Sequence, residues 1–410
     1  MGRISHKRIS ISERKLHNVP LSGDVMNETN LRKFVTSELV FGDGARLLAP
    51  QYAENLGAEK ILLVTDPGIK KVGLVDEIES SLTENGLGYV TYSDVTPNPR
   101  DYEVMGGAEV FESEGCNFII ALGGGSPIDC AKGIGIVTSN EMDILEFEGV
   151  DKIPIPGPPI ICIPTTAGTS ADISQFAIIR DTKRKIKIAI ISRTLIPDVS
   201  LIDPYTTITM DRLLTASTGM DALAHAIEAY VSNASSHLTD INALDAIKLV
   251  SENLYKTLQD PENLNLRYNM MLASLEAGLA FSNASLGLLH AIAHSLGGRL
   301  DIPHGIANAL LIEDVIEFNF TAASKRYKDI AEAMGLKPKR GEVKEELISK
   351  LKSFKKGLGI DMKLGDYGIK EEDIDELARL AFNDPCIVTN PRQPSIDDIK
   401  GILENAIRRS

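Results

Sequence analysis

The chain has no basic excess: 43 Lys and Arg stand against 57 Asp and Glu, a formal net charge of −14 over 410 residues. Binding to nucleic acid draws on a positive face that releases counterions, so a balance this acidic argues against that partner. Long apolar runs are missing as well. The longest, 118–122 and 158–164, fall far short of the ~20 residues that cross a bilayer, and no membrane insertion is expected. Residues 1–20 are basic but lack the apolar stretch of roughly 7–15 residues that a secretory signal needs. A cytoplasmic protein is therefore the expectation. Cysteine is scarce: Cys116, Cys130, Cys162 and Cys386 are widely spaced with no CxxC, which points to buried thiols and away from a disulfide frame. What remains, 43% hydrophobic and 24% charged residues, is the composition of a globular protein of about two domains.

Residues 1–33 read as a polar N-terminal extension. From Phe34 onward, β-branched runs alternate with helical patterns, the βαβ rhythm of a parallel sheet covered on both faces. Segments 60–65, 88–93, 118–122, 160–163, 186–191 and 199–202 read as strands, and 72–85 and 101–115 as helices. The Pro-rich stretch 153–159 reads as a connector, since proline suits neither a helix interior nor a central strand. From 211 to 409 helical spacing dominates. The expected organisation is an α/β domain with a Rossmann-like parallel sheet over 34–205 and an all-α domain over 206–410.

Strand 118–122 runs into Gly123-Gly-Gly-Ser-Pro-Ile-Asp129 and then a helical pattern. Three glycines at such a junction remove every Cβ where a diphosphate would approach the N–H groups at the positive end of the helix. The Walker lysine is absent and the spacing is not GxGxxG, so a nucleotide cradle and a merely tight turn both stand. Gly42-Asp-Gly44 reads as a turn into the first helix. Asp66 ends strand 60–65 at the carboxyl edge of the sheet, where ligands of open α/β folds bind. There it can accept from ribose hydroxyls and repel a 2′-phosphate, favouring NAD over NADP, or simply cap the turn at Pro67 and Gly68. Thr165-Thr-Ala-Gly-Thr169 is, by itself, a polar loop after a strand.

Four of the seven histidines fall in two short windows. Asp221-Ala-Leu-Ala-His225 stacks a carboxylate and an imidazole on one helix face, and His290-Ala-Ile-Ala-His294 repeats the spacing. Asp301-Ile-Pro-His304-Gly305 follows, with Pro and Gly holding an imidazole in a turn. Three imidazoles and a carboxylate without thiolate suit a divalent first-row metal such as Fe²⁺ or Zn²⁺, with room for substrate. His6 and His17 lie in the polar extension and His237 in an expected loop, all outside the site.

The ordered segments GGGSPIDCAK (123–132), IPTTAGTS (163–170), STGMDALAHAIEAYVS (217–232), GLLHAIAHSLGG (287–298) and DIPHGIANA (301–309) resemble the iron-containing (group III) alcohol dehydrogenase family. The likeness runs from about residue 31 to the C-terminus and is nearest to the family's lactaldehyde and 1,3-propanediol reductases. It implies NAD-linked hydride transfer between a small primary alcohol or diol and its aldehyde, in a homodimer or larger assembly. Asp221, His225, His290 and His304 fall on the family's metal ligands, which take Fe²⁺ or Zn²⁺. His294 falls on a neighbour that does not ligate, a candidate proton relay. Cofactor contacts fall on Asp66, Asn98, Gly124, Gly125, Ser126, Thr165, Thr166, Thr169 and Lys187. Phe176, Phe281, Leu286 and Cys386 fall at the border of a small apolar substrate pocket. One departure is Gly168-Thr-Ser-Ala-Asp172, where many members read GTGSE. The same residues would serve an alcohol-linked transhydrogenase with retained cofactor. A lyase of the dehydroquinate synthase type would instead need a basic cluster, absent beside these histidines.

Overall fold

The computed structural model describes residues 32–408; nearly all of the extension 1–33, with His6 and His17, lies outside them. Among the described residues nine strands are formed: β1 (Glu38–Phe41), β2 (Lys60–Val64), β3 (Gly88–Tyr92), β4 (Phe118–Gly123), β5 (Gly149–Val150), β6 (Ile160–Pro164), β7 (Phe176–Asp181), β8 (Ile186–Ile191) and β9 (Val199–Ile202). Between them run α1 (Ala49–Asn55), α2 (Pro67–Lys71), α3 (Leu74–Glu84), α4 (Asp101–Ser113) and α5 (Gly125–Asn140). Only helices follow β9: α6 (Arg212–Val231), α7 (His237–Gln259), α8 (Leu264–Ala284), α9 (Leu288–Leu300), α10 (His304–Ala333), α11 (Val343–Leu358), α12 (Ile374–Phe382) and α13 (Ile396–Arg408), besides short 3₁₀ turns.

Six strands make one parallel sheet in the order β1-β9-β6-β4-β2-β3. Their unbroken apolar runs are explained by cover on both faces. Ile61, Leu63, Phe118 and Ile120 pack with α1 and α3, while the alternate residues Leu62, Val64, Ile119 and Ala121 pack with α4 and α5. The chain leaves β2 for the edge strand β3 and returns to β4 on the other side of β2. This reversal opens a crevice at the carboxyl ends of β2 and β4, the place where open α/β sheets bind ligands.

Two readings are corrected. Segment 186–191 is a strand, but β8 lies outside the parallel sheet: it pairs antiparallel with β7 and parallel with β5 in a separate three-stranded sheet. Apolar periodicity marks a strand without naming its partner. His237 is not in a loop but is the first residue of α7, whose N-cap Ser236 accepts from the Thr239 amide at 3.3 Å. The cysteines are as expected, all four buried free thiols. Among the described residues no single helix is long and apolar enough to cross a membrane.

Helix α6 is the axis of the helical half. Seventeen of its 20 residues are buried, so it has no solvent face, and α7, α8 and α10 enclose it. Any polar side chain it carries must find a partner inside.

Candidate active site

Three buried polar residues of α6 share one face: Asp221, His225 and Glu228 follow one another at i, i+4 and i+7. His290 comes from the first turn of α9 and His304 opens α10. Gly305 makes the junction possible, because a Cβ there would run into the Ser217 carbonyl on α6. With hydrogen in its place, the N-terminus of α10 closes on α6 and brings His304 to Asp221.

The four predicted ligand residues converge. One ligand atom from each of Asp221, His225, His290 and His304 lies within 4.8 Å of the others. Asp221 Oδ1 is 4.0 Å from His225 Nε2, 3.8 Å from His290 Nε2 and 3.7 Å from His304 Nε2. Donors about 2.1 Å from a shared ion in a tetrahedron stand roughly 3.4 Å apart, so a small inward movement suffices. Three imidazole nitrogens and one carboxylate oxygen, with no thiolate, are the chemistry of Fe²⁺ or Zn²⁺. Asn308, one turn after His304, lies against the set: its Nδ2 donates to Asp221 Oδ1 at 2.7 Å and is 3.2 Å from His290 Nε2. Asn308 Oδ1 and His304 Nδ1 are buried without a hydrogen-bond partner, which marks a polar cluster completed by something it binds.

The far side of each ring is held as well. His225 Nδ1 meets the Gly168 carbonyl at 3.2 Å, and its ring stacks on Phe281 with centroids 4.3 Å apart. His290 Nδ1 donates to Glu228 Oε2 at 2.6 Å. Burial lowers the pKa of His225 to about 4, against the pull of Asp221, and burial likewise takes His304 well below its ordinary value. Both rings are thus neutral at neutral pH and present lone pairs. Burial works against His290 too, but Asp221 and Glu228 outweigh it and raise it to about 9. Burial alone would raise the Asp221 carboxyl; His225, His304 and His290 together hold it below the usual carboxylate range. A cation among these nitrogens takes the place of protons.

His294, one turn after His290, does not join the four. Its Nδ1 donates to Asp384 Oδ2 at 2.8 Å, and its ring stacks on that of His304 with centroids 5.2 Å apart. Cys386 is buried beside this pair, its amide donating to Asp384 Oδ1 at 2.8 Å. Of the other expected pocket residues, Phe176 meets Phe281 at 5.8 Å between centroids. Leu286 is buried, and its carbonyl accepts from Thr389 Oγ1 at 2.6 Å.

At the glycine turn the expected cofactor residues gather in pairs. A Cβ on Gly124 would lie 3.1 Å from Thr166, and one on Gly125 would lie 3.0 Å from Thr169. The glycines therefore let the Thr-rich loop close over the start of α5, leaving the helix N-terminus bare for an anion. Ser126 Oγ accepts from the Asn98 amide at 3.2 Å. The side chain of Asn98 turns the other way and donates to Asp301 Oδ1 at 2.7 Å, where Arg180 also binds Asp301 at 2.6 Å. Asp66 Oδ1 caps α2, accepting from Gly68 at 2.7 Å and Ile69 at 3.0 Å. Thr165 is buried and its hydroxyl has no partner. Lys187, on β8, lies against Gly297 of α9. Burial lowers its pKa to about 8, with Asp221, Asp301 and Asp129 pulling the other way.

The departure at 168–172 is structural. Asp172 is buried and accepts from Ser200 Oγ on β9 at 2.6 Å, while Ser170 Oγ donates to the Ser274 carbonyl on α8 at 2.6 Å. Sequence reading missed Glu228, Asn308 and Asp384. The first two carried a signal, since they share a helix face with Asp221 and His304 respectively. Asp384 carried none, because tertiary folding alone brings it to His294.

Residues 36–204 match the family described as "Iron-containing alcohol dehydrogenase", and residues 215–407 match "Fe-containing alcohol dehydrogenase family, C-terminal". The chain belongs to the iron-containing alcohol dehydrogenase family. It is 40% identical over 371 residues to a 1,3-propanediol dehydrogenase of Citrobacter freundii, covering 89% of this chain and 96% of the relative. It is 35% identical over 371 residues to the lactaldehyde reductase of Escherichia coli K12, covering 89% and 97%. A crystal structure of 1,3-propanediol oxidoreductase superposes with a TM-score of 0.89 at 38% identity, covering 92% of this chain and all of that one. As a member of this family the protein is an oxidoreductase acting on CH–OH donors, interconverting alcohol and aldehyde, which excludes the lyase alternative.

Proposed function

We propose that the protein oxidises a small primary alcohol or diol with NAD, or reduces the corresponding aldehyde with NADH, using one divalent metal held by Asp221, His225, His290 and His304. The observation that carries this reading is the convergence of those four ligand atoms within 4.8 Å. Fe²⁺ is the ion of choice from the family, with Zn²⁺ equally suited to the donors. When bound, the metal lowers the proton affinity of a substrate hydroxyl as a Lewis acid, and the nicotinamide accepts hydride.

The chain's own residues do the rest. The bare N-terminus of α5 at Gly124, Gly125 and Ser126 receives the diphosphate, with Thr165, Thr166 and Thr169 in the facing loop and Asn98 and Lys187 beside it. Asp66, through the oxygen not used in capping α2, accepts from the adenosine ribose and favours NAD. Phe176, Phe281, Leu286 and Cys386 exclude water and limit the substrate to a short one. His294, with Nδ1 held by Asp384, offers Nε2 for the hydroxyl proton. We assign 34–205 to dinucleotide binding and 206–410 to metal binding, in a cytoplasmic homodimer or larger assembly.

The test is NADH absorbance with a panel of short alcohols and diols, on metal-stripped protein reloaded anaerobically with Fe²⁺ or Zn²⁺, beside His290→Ala. Turnover that requires metal and vanishes in the variant is the expected result. Turnover in stripped protein, or in His290→Ala at the wild-type rate, would remove the metal from the mechanism.

A further inference from the structure

Glu228 makes more hydrogen bonds than a helix cap requires. It is 3% exposed, on the same face of α6 as Asp221 and His225. Its Oε1 accepts from the Leu289 amide at 2.7 Å. Its Oε2 accepts from Gly287 N at 3.1 Å, His290 N at 3.3 Å and His290 Nδ1 at 2.6 Å. The three amides are the unpaired donors at the start of α9, which a carboxylate naturally satisfies. The shortest of the four bonds, however, goes to the imidazole. The remaining amide of that turn, Leu288 N, is served by Asn390 Oδ1 at 3.0 Å, and Asn390 is itself fixed by Asn319.

We infer that Glu228 is a positioning residue for the metal: its bond to Nδ1 fixes His290 in the tautomer whose Nε2 faces Asp221, and so raises the affinity of the four ligands for the ion. This rests on the proposed assignment of Asp221, His225, His290 and His304 as ligands. The physical basis is general. A neutral imidazole carries its proton on one nitrogen and its lone pair on the other, and an acceptor at Nδ1 makes Nε2 the donor to a metal. A carboxylate acceptor also makes the ring a more basic ligand. The backbone bonds hold the carboxylate in place, so that one buried group ties the orientation of the ring to the start of the helix that carries it. His225 is held differently, by the Gly168 carbonyl, and the Nδ1 of His304 is unpartnered. Among the three imidazoles, only His290 has an anionic acceptor at Nδ1.

Capping and ligand positioning are separable by experiment. Full-length protein is stripped and titrated with Zn²⁺ in competition with a chromophoric chelator, and thermal unfolding of each stripped variant is followed alongside. Glu228→Gln, which cannot accept all four bonds, is expected to bind Zn²⁺ about 10–100-fold more weakly. Asn390→Ala removes a cap of the same helix turn without touching the ring; it is expected to lose thermal stability yet keep its Zn²⁺ affinity within about threefold of wild type. Wild-type affinity in Glu228→Gln, or an equal loss in Asn390→Ala, overturns the inference and leaves Glu228 as a cap. Wild-type affinity in His290→Ala overturns the ligand assignment itself, a distinct outcome. Nitrogen NMR of isotope-labelled histidine in the Zn²⁺-loaded wild type decides even if Glu228→Gln does not fold. A proton on His290 Nδ1 with zinc on Nε2 is expected, and an unprotonated Nδ1 overturns the inference.

Discussion

Only one oxygen of the Asp66 carboxylate is engaged in capping. Oδ1 takes both capping bonds of α2, from Gly68 and Ile69, so the residue would be retained for local structure even without a cofactor. Oδ2 remains at the carboxyl edge of β2, beside the crevice. Serine also caps a helix with one oxygen but carries no charge, so Asp66→Ser separates the cap from the proposed cofactor contact. The expected result is a kcat/KM for NADP raised by about 10-fold or more, because a like-charge repulsion is removed, with a lower kcat/KM for NAD and little change in thermal stability. An unchanged preference between the two cofactors would limit Asp66 to its cap. Both readings of this residue were available from Asp-Pro-Gly at a strand end, and the cap is the one the fold displays. Legibility at this scale follows helical spacing: Asp221 with His225 and His290 with His294 announce shared faces, whereas Asp384 reaches His294 across 90 positions and leaves no local pattern.

At the scale of elements, α7 and α8 meet along a groove of about 380 Å³ lined by Ile241, Asn242, Leu244, Asp245, Lys248, Glu276 and Ala333. Burial and the Asp245 carboxylate raise the Glu276 pKa from 4.5 to about 8. Between those values the folded chain keeps a proton that the unfolded chain has released. Its contribution to stability therefore falls as pH rises from 4.5 to about 8 and is lost above that. Glu276→Gln keeps the shape and removes the titration. The variant should gain on the order of 2 °C over wild type at pH 8, a modest figure because the groove is open to solvent and Lys248 borders it. The gain should vanish near pH 4.5, and a gain independent of pH would refute the retained-proton account. Most strands of the parallel sheet were legible for a related reason of burial, the exception being the short edge strand β1 (Glu38–Phe41), which was not read. Strands covered on both faces read as unbroken apolar runs, and this is how β2, β4, β6 and β9 stand out. The small sheet of β5, β7 and β8 was not, because pairing between Phe176–Asp181 and Ile186–Ile191 depends on a short antiparallel return whose turn, at 182–185, lacks glycine and proline.

For the whole molecule, the proposed metal would join three helices that no single sequence segment connects: α6 supplies Asp221 and His225, α9 His290, and α10 His304. Four polar side chains brought together inside the helical half are a destabilising choice for an apolar interior; here Asp221, His225 and His290 are hydrogen-bonded to Asn308, the Gly168 carbonyl and Glu228, while the Asp221 carboxylate stands 3.7–4.0 Å from the three rings. A ligand that binds only the folded arrangement stabilises it by mass action, ~4 kcal/mol when free metal exceeds its dissociation constant a thousandfold. For a chain of this length that corresponds to a rise on the order of 5 °C in Tm. Calorimetry of stripped and Zn²⁺-reloaded protein should show this rise, and it should require all four residues, since a site missing one ligand no longer offers the closed set. His290→Ala should unfold at the same temperature with and without metal. A wild-type rise that survives in His290→Ala would mean that the ion stabilises the fold from somewhere else, and the four-residue convergence would then be a buried polar network only.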